Sequence, residues 1–310
     1  MKPCPNPMAF NAGGRARAYL ELIRLPNLFT VVADVLAGYL YTGGDWFHAP
    51  ALVGLCGASM CLYAGGMALN DVCDRRQDAC ERPDRPIPSN RVPAGRALAL
   101  SMVLLTTGVV LAASTGLAQG GSLRVGAVAV TLVGAIVLYD AVLKATVVAP
   151  ALMGLCRTMN LALGMCHTGI ECSAVTLAPL ALMWLYVTSL TYFAAREAAL
   201  IGDRRRLMIG TVGVLVAIGG LSSLYWIVPD VQPAFLLLVA LFGPLLAYVG
   251  FLAVTRPDSL HVQQAVAAFI SGIVALDACI AWSARGGMTA LLVATTLLPT
   301  ILLRRWFPMT

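Results

Sequence analysis

Charge is what this 310-residue chain has least of: only 12% of its residues are Asp, Glu, Lys or Arg. That is about half the share of an ordinary soluble domain. The scarcity excludes an ordinary cytosolic globule, a disordered chain and a nucleic-acid-binding protein, in spite of a formal net charge of +6. Histidine is nearly missing too, with His48, His167 and His261 scattered along the chain. The nine cysteines contain no C-x-x-C spacing. Cys56, Cys61, Cys156, Cys166 and Cys279 fall in apolar runs, where a thiol packs as a small apolar group. Cys73 and Cys80 fall in a segment read below as cytosolic, where thiols stay reduced. These gaps argue against a zinc or Fe–S centre and against a disulfide framework. No soluble domain, low-complexity segment or flexible linker is visible either.

What the chain does have is apolar runs of roughly twenty residues, the length that crosses the ~30 Å hydrocarbon core as a helix. The candidate spans are 26–44, 50–70, 97–117, 124–142, 149–167, 174–195, 207–228, 234–254, 262–283 and a shorter 287–303. The fold class is therefore all-α and polytopic. With the N-terminus placed inside, all but three of the 21 Lys and Arg fall in inside segments. The exceptions are Arg124 and Arg285 outside and Arg157 within a span. The basic surplus is thus a topology signal, and it predicts a multi-pass protein of the cell membrane with a cytoplasmic N-terminus. Arg15, Arg17 and Arg24 precede a long first run without a small-residue cleavage site, so that run reads as a retained span.

The inside segments are uneven. The second span runs into Asn70, Asp71, Asp74 and Asp78, followed by Arg82-Pro83-Asp84-Arg85-Pro86-Ile87-Pro88. If the helix continues, three carboxylates and an amide share one face at the mouth of the bundle. Like charges so close are unfavourable without a cation among them, and oxygen-only ligands select a hard ion such as Mg²⁺. Mg²⁺ is commonly held by a few carboxylates together with substrate phosphates. Asn70, Asp71, Asp74 and Asp78 are therefore the candidate metal ligands, and the substrate should be phosphorylated. Arg82 and Arg85, on a proline-stiffened turn, supply forked donors for a diphosphate. Arg91 and Arg96 read as topology charges.

The pattern N-D-x-x-D-x-x-x-D followed by R-P-x-R-P-I-P resembles the first signature of the UbiA superfamily of membrane prenyltransferases. The wording from Gly66 to Asp71 and from Arg82 to Ser89 looks most like its Ebo-type (EboC-like) branch. The resemblance runs from Arg24-Leu25-Pro26-Asn27 to about residue 283. It implies a UbiA-type bundle of nine core transmembrane helices around a central cavity, spanning 26–283, after a cytoplasmic segment 1–25. An extra C-terminal span and tail, 287–310, goes beyond it. The implied activity is prenyl transfer: a Mg²⁺-bound polyprenyl diphosphate is ionised and its prenyl group passes to an aromatic or polyol acceptor. Tyr139 to Lys144 resembles the family's Y-x-x-x-x-K segment, which puts Tyr139 and Lys144 beside Asp71 and Asp74 in the catalytic set. Asp140, four residues before Lys144, is read as holding it.

Further stripes suggest a cavity wall. Arg24, Asn27, Val31 and Asp34 share one side of the first helix, and Arg157, Asn160 and Gly164 share one side of the fifth span. Asn27, Asp34, Arg157 and Asn160 are candidate substrate contacts, and the counter-ion that a buried Arg157 requires is either a substrate or Asp34. Asp277 reads either as functional or as a packing hydrogen bond. The family's second aspartate-rich motif is absent after the sixth span. Thr188, Tyr192 and Arg196 form a stripe there instead, which makes Tyr192 a substrate contact and Arg196 a catalytic cation in place of a second metal. The rival readings are a transporter of a prenylated metabolite and a non-catalytic binder. The expected partners are a prenyl diphosphate, a small-molecule acceptor and the lipid bilayer, with no nucleic acid and no obligate protein partner.

Overall fold

The computed structural model describes residues 12–45, 49–120, 123–166, 173–194 and 204–307. Among them no strand occurs. The helices are α1 (Ala12–Leu22), α2 (Leu28–Tyr41), α3 (Ala49–Cys73), α4 (Arg75–Glu81), α5 (Ala94–Ala118) and α6 (Arg124–Leu138). They continue with α7 (Ala149–Met165), α8 (Ala174–Ala194), α9 (Arg204–Gly220), α10 (Leu224–Ile227), α11 (Ala234–Thr255), α12 (Ser259–Arg285), α13 (Gly287–Thr295) and α14 (Leu297–Arg304). Seven helices among the described residues are long and apolar enough to cross a membrane, and 25–41 and 287–303 are shorter apolar helices. Their outward faces carry exposed residues such as Val103 and Val110 on α5 and Leu237, Leu241 and Phe251 on α11. Apolar area of this extent is tolerated when the surrounding solvent is lipid.

The bundle is organised around α2, which packs against α3, α7 and α12. Its crossing with α7 is the tightest point. A Cβ on Gly38 would lie 2.2 Å from the Leu161 carbonyl oxygen, and one on Gly164 2.1 Å from that of Val35. Glycine at both positions lets the two backbones touch, as small residues do at helix crossings in membranes. Asp34 stands one turn from Gly38, and Asn160 one turn from Gly164, so this contact fixes the polar cluster described below. Gly164→Ala is expected to destabilise the protein by about 1–3 kcal/mol, the usual range for overpacking. Unfolding in detergent measures it, and an unchanged transition would show that the crossing is not close.

Three local features differ from a plain helix reading. The segment 139–143 is a π-helical turn rather than a continuation of α6. Arg24 sits at φ 51° and ψ 56°, a left-handed conformation that a non-glycine residue rarely adopts. The C-terminal run, expected as one span, is two helices, because Pro299 lacks the N–H that would continue the ladder. Even so, it travels the length of α2. Arg285 bonds the Gly43 carbonyl at one end, and Arg17 Nη2 donates to the Trp306 carbonyl at 3.2 Å at the other.

Candidate functional site

The second span does carry its helix past Asn70. The Asp74 N–H donates to the Asn70 carbonyl and the Asp78 N–H to the Asp74 carbonyl, each at 2.9 Å. The backbone thus keeps the helical spacing that brings the carboxylates together. Beyond Glu81 the Arg-Pro segment folds back as a chain of turns, with Ser89 Oγ donating to the Arg85 carbonyl at 2.6 Å. Ile87 and Val92 anchor it in a small apolar cluster with Ala18, Leu22, Ala68, Val72 and Ala97. Arg91, read as a topology charge, is a strut of this loop: it pairs with Glu21 on α1 and donates to the Asp84 carbonyl at 2.6 Å.

Folding back brings cations onto the carboxylates. Arg85 Nη1 donates to Asp78 Oδ2 at 2.7 Å and lies 3.3 Å from Asp71 Oδ1. Arg24 Nη2 lies 3.6 Å from the same Asp71 oxygen, aimed there from its left-handed backbone position. Lys144 pairs with Asp74 and lies over the Tyr139 ring at 5.8 Å from its centre. Asp140 does not hold Lys144. The π-turn directs it inward, where it accepts from Asn70 Nδ2 at 2.7 Å. Single-turn π-bulges of this kind occur often at functional sites.

No three His, Cys, Asp or Glu side chains among the described residues stand close enough to hold a metal ion by themselves. The shared face is real, but its side chains divide among three partners: Asp71 and Asp78 meet on Arg85, Asp74 pairs with Lys144, and Asn70 donates to Asp140. The donor set still has the all-oxygen character that Mg²⁺ requires, and positive charge already sits among the carboxylates. That arrangement suits an ion completed by substrate phosphates rather than an all-protein cage.

This charged mouth opens on a cavity of about 410 Å³. Arg24, Asn27, Tyr139 and Asp140 line its rim, Thr30, Arg157 and Asn160 line a deeper part, and Met67, Leu132, Ile136, Leu190 and Ile270 are among its apolar lining. The deep polar groups belong to one network. Asp34 is fully buried and takes Arg157 Nη1 at 3.0 Å and Asn160 Nδ2 at 2.8 Å. Ser59 Oγ donates to Asn160 Oδ1 at 2.6 Å, and Arg157 Nη2 to Thr30 Oγ1 at 3.0 Å. Asp277, also fully buried, lies beside Asp34.

One expected contact lies elsewhere. Tyr192 does not line the cavity; it is exposed beneath Arg206, whose Nε donates to the Tyr192 carbonyl at 2.6 Å, and Thr191 takes the inward position. Arg82 lines a second, polar pocket of about 360 Å³ together with Glu21, Arg24, Asp71 and Arg85. Arg196 lies outside the described residues. Ser59 and Thr30 carried no sequence signal, because a lone hydroxyl in an apolar helix does not reveal its partner on another helix. Arg24 is shared by both pockets.

The sequence profile of the UbiA prenyltransferase family matches residues 31–273. The chain belongs to the UbiA prenyltransferase family. Among curated relatives, the digeranylgeranylglyceryl phosphate synthase of Ignicoccus hospitalis is 39% identical over 117 residues, 38% of each chain. That of Sulfurisphaera tokodaii is 36% identical over 97 residues, 31% of this chain and 34% of the relative. The matched segment thus spans little more than a third of the length of these relatives. They turn the likeness toward digeranylgeranylglyceryl phosphate synthases and away from the Ebo-type branch expected from the Arg-Pro wording. That motif serves chemistry common to the superfamily, so it carries little information about branch. A solved structure from work on digeranylgeranylglyceryl phosphate synthase in membranes gives a TM-score of 0.63 at 18% identity, covering 91% of this chain and 99% of the other. A UbiA homolog from Archaeoglobus fulgidus bound to GPP and Mg²⁺ gives 0.60 at 11% identity, over 92% and 99%. At such identities the likeness is one of fold.

Proposed function

We propose that this UbiA-family protein transfers a prenyl group from a Mg²⁺-bound prenyl diphosphate to a hydroxylated acceptor. The observation that carries the reading is the junction of charge and grease. Asp71, Asp74, Asp78, Arg24, Arg85 and Lys144 gather at the mouth of a cavity with an extensive apolar lining. A diphosphate belongs in the first and an isoprenoid chain in the second. Asp71, Asp74 and Asp78 with Asn70 would hold Mg²⁺, which when bound neutralises diphosphate charge. Arg85 and Lys144, held near the carboxylates, are placed to bind the diphosphate oxygens. The allylic C–O bond breaks with its electron pair leaving on the diphosphate, the acceptor oxygen bonds to that carbon, and the acceptor proton departs with the diphosphate. The apolar lining keeps water from the carbocation.

The relatives' name supports a glyceryl phosphate acceptor: removing one prenyl group from digeranylgeranylglyceryl phosphate leaves geranylgeranylglyceryl phosphate. The charged end of the bundle is assigned to the cytoplasm, since the basic residues cluster there. Arg196 is assigned to the diphosphate as a cation in place of a second metal. Deleting the gene and profiling lipids by mass spectrometry tests the function. The expected result is loss of a prenyl ether lipid with accumulation of its singly prenylated precursor. An unchanged prenyl lipid profile would overturn it.

A further inference from the structure

The two arginines that meet on Asp71 come from different parts of the chain. Arg24 Nη2 lies 3.6 Å and Arg85 Nη1 3.3 Å from Asp71 Oδ1. A diphosphate held by both is bound more tightly if they are placed in advance, because ordering a long side chain on binding costs affinity. One residue ahead of the motif touches the support of each. The Glu21 carbonyl accepts the Arg24 N–H at 3.0 Å, closing the turn that holds Arg24 in its left-handed conformation. The Glu21 carboxylate takes Arg91 with Oε2. Arg91 in turn donates to the Asp84 carbonyl at 2.6 Å and to Ser89 Oγ at 3.0 Å. Asp84 directly precedes Arg85, and Ser89 Oγ donates to the Arg85 carbonyl. The other Glu21 oxygen takes Arg17 Nε at 3.1 Å, and Arg17 also holds the Trp306 carbonyl. Glu21 is therefore held from two sides. Beside it Ala18 and Leu22, both fully buried, seat α1 in the apolar cluster with Ile87 and Val92 of the loop.

We propose that Glu21 is a positioning residue of the diphosphate site, a brace that sets Arg24 and Arg85 against each other across Asp71. The assignment rests on the prenyl diphosphate reading above. Glu21 stands ahead of residues 31–273, which the family profile matches, so the brace is built from a part of the chain outside that segment. It acts through Arg91, whose three partners are Glu21 and two groups of the Arg-Pro loop. The side chains of Arg91 and Glu21 are 28% and 11% exposed. An ion pair this near the solvent adds little to global stability. Freeing the loop, by contrast, means that Arg85 must be ordered again each time a diphosphate binds, which lowers affinity. Loss of the brace should therefore separate affinity from stability.

Two affinities measured on the full-length protein in lipid nanodiscs test the assignment. One is for geranylgeranyl diphosphate and the other for geranylgeranyl monophosphate, each with Mg²⁺. Glu21→Ala is expected to weaken the diphosphate by about fivefold, the effect of one long side chain that must be ordered on binding. The monophosphate, which one arginine can satisfy, should bind nearly as it does to the wild type. Arg91→Ala should show the same split, and the double variant should be no worse than Arg91→Ala, because both substitutions break one contact. Thermal unfolding of all three should stay close to that of the wild type. Undiminished diphosphate affinity in Glu21→Ala would overturn the brace. So would equal weakening of both ligands, or losses that add in the double variant. If the wild type binds no prenyl diphosphate, the prenyl-transfer reading itself falls, and the brace with it.

Discussion

Replacing Asp71 or Asp74 by alanine should remove Mg²⁺-dependent binding of geranylgeranyl diphosphate from a protein that still folds. The loss should be about 10²–10³-fold, the range for deleting one preorganised group that stabilises charge at a site. Folding should survive for different reasons at the two positions. Asp74 and Lys144 are the most solvated ion pair of the mouth, with side chains 19% and 32% exposed, and such pairs contribute little stability. Removing Asp71 leaves Arg85 with its shorter bond to Asp78. Asp78 should behave differently from both. It is buried with Arg85 and holds the Arg-Pro loop against the helix, so Asp78→Ala should lower stability as well as binding. Equilibrium binding across a Mg²⁺ titration, together with thermal unfolding, separates these outcomes. Undiminished Mg²⁺-dependent binding in both Asp71→Ala and Asp74→Ala would reject the metal assignment.

The second large effect belongs to the cavity floor. Arg157→Met should destabilise the protein by about 3–5 kcal/mol, the cost of stranding one partner of a buried pair. The stranded group is Asp34, fully buried and next to a second buried carboxylate at Asp277. Asn160 would remain as its donor, which is too little compensation for a full charge in an apolar bundle. Adding Asp34→Asn should restore most of the stability, because neutral partners of similar shape need no counter-ion. Chemical or thermal unfolding of the wild type, the single variant and the double variant measures the recovery. A double variant no more stable than Arg157→Met alone would show that the pair does not couple.

The bundle was readable from the sequence because its physics is nearly one-dimensional. Runs of roughly twenty apolar residues and the placement of arginines identify a polytopic helical protein before any contact is known. The first motif was readable for a similar reason, since Asn70, Asp71, Asp74 and Asp78 lie within little more than two helical turns and their spacing needs no tertiary information. The partners of those residues were harder. The sequence suggested that Asp140 holds Lys144, but a π-turn rotates the chain there, and Lys144 goes to Asp74 while Asp140 takes Asn70. Helical spacing cannot anticipate one extra residue in a turn. The cost of an isolated charge in a membrane suggested either a substrate or Asp34 as counter-ion of Arg157, and the structure shows Asp34. The glycine crossing that places them together, Gly38 on Gly164, depends on which two helices meet, and one sequence does not contain that choice. Tyr192 shows the opposite error: a clean stripe with Thr188 selected a face, and the structure turns that tyrosine outward under Arg206. Periodicity finds faces, and packing decides which face is inside.

The rival that the geometry leaves nearest is a family member that binds a prenyl diphosphate without reacting it, because the carboxylates of the mouth are already held by Arg85 and Lys144. Turnover by the purified full-length protein in lipid nanodiscs separates the two directly. Geranylgeranyl diphosphate, Mg²⁺ and geranylgeranylglyceryl phosphate are supplied together, and released diphosphate and prenylated product are both quantified. Prenyl transfer predicts diphosphate release that requires Mg²⁺, matches ether product one for one, and disappears in Asp71→Ala. Mg²⁺-dependent binding of the prenyl diphosphate with neither diphosphate release nor product would contradict it.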